Sequence, residues 1–194
     1  LIESDSSQKK HRSEGVMNRE SQSPPAFHEQ QRFQQVWIWF LVLGIAVLIW
    51  YSAIQQIILR RPFGSRPAPD TLLIIFWLLF GIGLPVLIFT ARLITEVRSD
   101  GIYVRFFPFH FSYRKIALEE LGSFEVRKYN ALREYGGWGI RYGPQGKAYN
   151  VGGNRGVQLV LTDGKRILIG SQRPEEFLTA LQSEHARYQT SVNK

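Results

Sequence analysis

Apolar and polar positions follow three regimes along the chain. Residues 1–35 are polar, two long stretches are then almost continuously apolar, and the remainder alternates. The first apolar run, residues 36–59, holds no charge and reaches Arg60 and Arg61 after the pair Gln55 and Gln56. The second, residues 71–92, is free of charge from Leu72 to Ala91. A helix rises about 1.5 Å per residue, so about 20 apolar residues cross a hydrocarbon core of roughly 30 Å. Neither run shows the polar stripe of a soluble core helix. The pattern predicts two transmembrane helices.

Trp37 and Trp39 at one end of the first run, with Trp50 and Tyr51 near the other, suit the aromatic belts of a bilayer. The connection over 60–70 (RRPFGSRPAPD) is short enough to force an antiparallel hairpin, and Asp70-Thr71 offers an N-cap for the second helix. Pro85, after Gly81 and Gly83, removes a backbone donor in mid-span and predicts a kink. The charge-free runs contain no Asp, Glu, Lys, Arg or His, the groups on which ion and proton pathways depend. They read as an anchor, or as surfaces for other helices.

From residue 93 the period shortens to two. Strands are expected over 95–98, 102–107, 109–115, 123–129, 138–142, 147–151, 157–161 and 165–169, with 116–121 as a short helical step. Asp163-Gly164 between two alternating runs is a strong hairpin signal. Pro174, then Glu175 and Glu176, opens a final helix with Phe177, Leu181 and Tyr188 on one side. The fold class that follows is α+β: a transmembrane helical hairpin (36–59, loop 60–70, 71–92), a small antiparallel β-barrel closed by one C-terminal α-helix (93–188), and a short tail (189–194).

The turn and strand over 99–105 (SDGIYVR), the step 116–121 (IALEEL), the Asp163-Gly164 turn and the run 169–177 (IGSQRPEEF) resemble bacterial pleckstrin-homology-like (PH-like) domains behind paired membrane helices. More closely, the chain is similar to small bacterial membrane proteins of unknown role with this plan, over roughly residues 27–182. The resemblance implies a seven-stranded bent barrel with a C-terminal helix on the cytoplasmic face. Its motifs are structural turns, so it transfers no functional residues.

The first 35 residues cannot bury enough apolar surface to order themselves and read as a disordered tail. Met17, the only methionine, is the expected native start. Arg19, Arg32, Arg92, Arg98 and Arg105 flank the runs on one side, against Arg60, Arg61 and Arg66 in the loop. That balance places both termini in the cytoplasm, at the inner (plasma) membrane. A net charge of +8 favours anionic headgroups, and no nucleic-acid motif accompanies it.

No cysteine is present, so no disulfide or thiolate chemistry is available. His11, His28, His110 and His185 are not spaced as metal ligands, and the adjacent Glu119 and Glu120 diverge on a strand or a helix. The glycine run 136–143 (GGWGIRYG) lacks the Lys-Ser/Thr ending of a phosphate loop. No catalytic, cofactor or metal site is expected. The candidate ligand rim is Trp138, Arg141, Lys147 and Arg155, basic groups among aromatic ones beside the glycine-rich loops. Residues 106–111 (FFPFHF) are a second suspect, either strand core or a loop tip that enters the membrane interface. The expected function is a non-enzymatic module that binds a protein, a peptide or an anionic headgroup. The alternative is an accessory subunit of a larger membrane complex or homo-oligomer.

Overall fold

The computed structural model describes residues 24–64 and 67–192. It divides into two compact units, one of Arg32–Ala91 and one built from the chain up to Gln31 and from Arg92 onward. The expected start at Met17, with the tail up to residue 23, lies outside the described residues.

The first unit is the helical hairpin. Helices α1 (Val36–Ile58) and α2 (Asp70–Thr90) are each long and apolar enough to cross a membrane. Small residues sit at their seam: Ala46, Ser52 and Ala53 on α1 are buried, and so is Gly81 on α2. Large ones, such as Phe40, Val47 and Phe89, face outward. Small side chains let two backbones approach, which is how helices pack where no hydrophobic effect drives them together. Trp50 meets Trp77 edge-on at 5.0 Å, and Trp39 meets Phe89 at 6.5 Å.

Pro85 acts through a specific atom. It has no N–H to give the carbonyl of Gly81, four residues earlier. The Trp50 indole donates to that carbonyl instead, at 3.1 Å. The turns before the proline widen to π-type over Trp77–Gly83. Asp70 does not cap α2, whose N-cap is Pro69; its carboxylate accepts a bond from the Gln56 amide, 2.7 Å, across the loop.

The second unit holds two sheets and two helices. Sheet A is β1 (Phe27–Arg32), β2 (Arg92–Arg98), β3 (Gly101–Phe107) and β4 (Arg114–Ala117), in that spatial order. Sheet B contains β5 (Leu121–Lys128), β6 (Gly139–Gly143), β7 (Gly146–Asn150), β8 (Arg155–Leu161) and β9 (Arg166–Gly170), in the order β5-β8-β9-β7-β6. Helices α3 (Ala131–Tyr135) and α4 (Pro174–Val192) complete the unit. Val97, Ile102, Val104, Val157, Leu159 and Ile169 are fully buried, as are Phe177 and Leu181 of α4.

Four further expectations are corrected. The sheets do not close into a barrel: a 3-10 turn at Leu118–Glu120 separates β4 from β5, and β7 inserts parallel to β9. The expected third strand over 109–115 is mostly loop and becomes β4 only at Arg114. The polar tail ends earlier than expected, because Phe27–Arg32 pairs as an edge strand of sheet A. Its inward positions are Phe27, Glu29 and Gln31, and the two polar ones are satisfied by distant groups. Glu29 accepts from the Ser171 hydroxyl (2.6 Å) and the Gln172 N–H (2.9 Å), while Gln31 donates to the Gly170 carbonyl (2.7 Å). The C-terminal helix also runs past residue 188, to Val192.

The hairpin is therefore an insertion between two neighbouring strands of one sheet. Residues 33–35 join β1 to α1, and Ala91 alone joins α2 to β2.

Candidate functional site

The four residues of the expected rim do not form one site. Cross-strand partners share a face of a sheet and successive residues alternate. Arg141 pairs with Ala148, whereas Lys147 pairs with Tyr142, so Arg141 and Lys147 project from opposite faces. Arg155 lies on β8, with β7 and β9 between it and β6. It is ion-paired to Glu175 on α4. Trp138 packs beside Tyr129, Ala131, Tyr135, Ala148 and Leu168, a satellite core roofed by α3. Arg141 folds back on its own turn, where its Nε donates to the Trp138 carbonyl at 2.9 Å.

Helix α3 was not legible as an element. Asn130 caps it by accepting from the Arg133 N–H at 3.0 Å, and Gly136 ends it at φ +70°. A cap and a glycine terminator were present in the sequence, but five residues carry no helical periodicity. Burial in this satellite core pushes the Tyr129 hydroxyl up to about 12.

Lys147 is the rim residue that keeps a binding geometry. Its ammonium lies 4.7 Å from the Tyr149 ring centre and 5.3 Å from that of Tyr142. It forms no salt bridge among the described residues. It lines a cleft of about 740 Å³ between the β6–β7 and β8–β9 turns, with Gln145, Lys165 and Arg166. Lys165 is held by Asp163 and Arg166 by Gln145. The His110 ring meets the Tyr149 ring edge-on at 5.9 Å. Burial, with the cations of Arg114 and Lys147 nearby, holds its imidazole below the ordinary histidine value.

A second basic and aromatic surface was missed by the sequence reading. It is the outer face of sheet A, where Arg92, Glu96 and Arg98 of β2 stand beside Tyr103, Arg105 and Phe107 of β3 and Lys115 of β4. At the turn end, charges are neutralised internally. Arg98 binds Glu96 through Nε and Nη2, at 2.9 and 2.6 Å, and Tyr113 donates to the same carboxylate at 2.7 Å. Burial pulls the Glu96 carboxyl upward, but these bonds outweigh it and hold the group below the usual carboxylate value. Asp100 likewise accepts from Lys115 (2.6 Å) and Tyr103 (2.7 Å).

At the other end, Arg92 lies over the Phe107 ring at 5.2 Å and Arg105 over the Tyr113 ring at 4.8 Å. The run 106–111 divides between both expectations. Phe106 is core at 1% exposure, while Phe109 and Phe111 are 61% and 83% exposed. Each exposed ring is braced by an inner one, Phe109 by Phe106 and Phe111 by Phe107. Chemically, the unit presents cations seated on aromatic rings. Among the described residues, no group of three or more His, Cys, Asp or Glu is arranged to hold a metal ion.

Of the known protein families, one described as "Family of unknown function (DUF6141)" matches the chain, over residues 17–188. No curated protein and no solved structure matches it.

Proposed function

The chain belongs to that family of unknown function, and from this premise we propose that it is a membrane-anchored, non-enzymatic docking module at the inner membrane face. Its two-sheet unit presents a basic, aromatic surface to an anionic ligand, a protein, a peptide or a lipid headgroup.

One observation carries the reading. The two apolar helices are inserted between adjacent strands of sheet A, with residues 33–35 on one side and Ala91 on the other as the whole connection. These connections are three residues and one residue long, and a fully extended chain spans at most about 3.6 Å per residue. A bilayer that accepts the helices holds the unit at its surface by two short tethers. The likeness of its turns to PH-like domains agrees with a docking role at the level of fold analogy. The buried and half-buried carboxylates Glu29, Glu96 and Asp100 are each engaged in hydrogen bonds within the two-sheet unit, which suits a structural use of these groups.

Alkaline carbonate washing of membranes tests the anchor. The full chain is expected to stay with the lipid and to enter solution only with detergent. Release by carbonate, or a monodisperse chain in detergent-free buffer, overturns the proposal.

A further inference from the structure

The outer face of strands β2, β3 and β4 carries four cations, and their partners are distributed unevenly. Arg98 and Lys115, toward the β2–β3 turn, are neutralised by Glu96 and Asp100. Arg92 and Arg105, at the end where the chain arrives from α2, have no carboxylate partner among the described residues. The Nε atom of each is buried and lacks a hydrogen-bond acceptor among the described residues. With no carboxylate beside them, the two guanidinium groups favour a ligand with acceptor oxygens.

The register places these two arginines together. Arg92 is opposite Phe107 and Ile94 is opposite Arg105, so Arg92 and Arg105 are diagonal neighbours on one face. Such neighbours are about 7–8 Å apart at the backbone, close enough for both guanidinium groups to reach one phosphate. The ring under Arg92 continues outward as an aromatic chain: Phe107 touches Phe111 at 6.4 Å, and Phe109 rests on Phe106 at 6.0 Å. Cations at one level, with exposed and braced rings beside them, match the layering of a membrane interface.

We propose that this end of sheet A is a site for the phosphate headgroup of an anionic phospholipid, with Arg92 and Arg105 as phosphate ligands and Phe109 and Phe111 entering the acyl boundary. The proposal rests on the membrane reading above and deepens it by naming the ligand. Charge complementarity selects an anionic lipid over a zwitterionic one. The one-residue link at Ala91 keeps Arg92 within reach of the headgroups once α2 is in the bilayer.

The test uses the full chain in nanodiscs of phosphatidylcholine, alone or mixed equally with phosphatidylglycerol. The chain has no cysteine, so Phe111→Cys and, separately, Ser183→Cys each place one environment-sensitive fluorophore. The label at 111 is expected to shift to the blue and to be quenched by headgroup-proximal spin-labelled lipid, and the label at 183 to do neither. Native mass spectrometry is expected to show preferential retention of phosphatidylglycerol. The double variant Arg92→Gln/Arg105→Gln should reduce that preference about thirtyfold, at about one surface-charge contribution per arginine. Arg92→Lys/Arg105→Lys should keep most of it, which separates lost charge from lost folding. A label at 111 that emits as in water in both lipids, or equal retention of the two lipids by the wild type, overturns this inference. If carbonate washing still leaves the chain in the membrane, the anchoring proposal survives that result; if the chain is released, both fail.

Discussion

Glu29 and Ser171, 142 positions apart, are joined by a 2.6 Å hydrogen bond from the serine hydroxyl to the buried carboxylate. The bond ties the strand before the helical hairpin to the segment that leads into the last helix. The same carboxylate also takes the Gln172 N–H, and the Ser171 hydroxyl takes that of Arg173 at 3.0 Å. The strand preceding α1 is therefore an integral part of the C-terminal unit.

Removing this carboxylate strands two donors at once. Glu29→Ala is expected to destabilise the unit by about 2–3 kcal/mol, the range for buried hydrogen bonds to a charged group. Ser171→Ala should cost about 1 kcal/mol, because the carboxylate keeps its backbone donor. Thermal or denaturant unfolding in detergent, followed by near-ultraviolet circular dichroism, compares the two.

Glu96 makes stability depend on pH in a defined direction. Its folded value lies below the ordinary carboxylate value, so its contribution is fully present above the unfolded value and is lost as pH falls through the folded one. Glu96→Gln should therefore be less stable than wild type near neutrality, and the gap should narrow as the solution is acidified through the carboxylate range. Melting temperatures of both proteins across that window check it. A gap that widens on acidification contradicts the assignment.

The two hairpin turns of sheet B separate backbone strain from steric contact. Gly164 has φ +82° and open space where a Cβ would stand. Gly146 has φ +98°, and a Cβ there would lie 2.2 Å from the Arg166 carbonyl oxygen. Gly164→Ala should cost about 1 kcal/mol, from conformation alone. Gly146→Ala should cost distinctly more, about 3 kcal/mol or above, because strand β9 must move as well. Unfolding of the two variants side by side measures the difference.

In the hairpin, the Trp50 indole serves the carbonyl that Pro85 leaves without its helical donor. Trp50→Phe is expected to weaken packing of α1 against α2 by about 1 kcal/mol. In a Pro85→Ala background the restored N–H can take over, so the same substitution should cost much less. A double-mutant cycle on unfolding in mixed micelles reads this coupling, and additive effects would sink the account of Pro85.

The elements most legible in the sequence are those whose periodicity is strong and local. The two apolar runs, the alternation around Ser99–Gly101 and Asp163-Gly164, and the Pro174 helix start all recur in the structure. Strand β1 was hidden because two of its three inward residues are Glu29 and Gln31, which burial tolerates only through partners near residues 170–172. Sheet closure was misread because chain order says nothing of β7 pairing parallel with β9. The expected rim gathered Arg141, Lys147 and Arg155 by nearness in sequence, whereas register sends them to different faces and strands. The Arg92–Arg105 pair was invisible for the complementary reason, since their adjacency exists only through the register of β2 on β3.

Cysteine labelling of Ala68→Cys and Ser183→Cys in sealed membranes addresses the central claim most directly. A membrane-impermeant maleimide is expected to reach residue 183 only from the cytoplasmic side and residue 68, in the loop between α1 and α2, only from the opposite side. Labelling of both positions from the same side would contradict it.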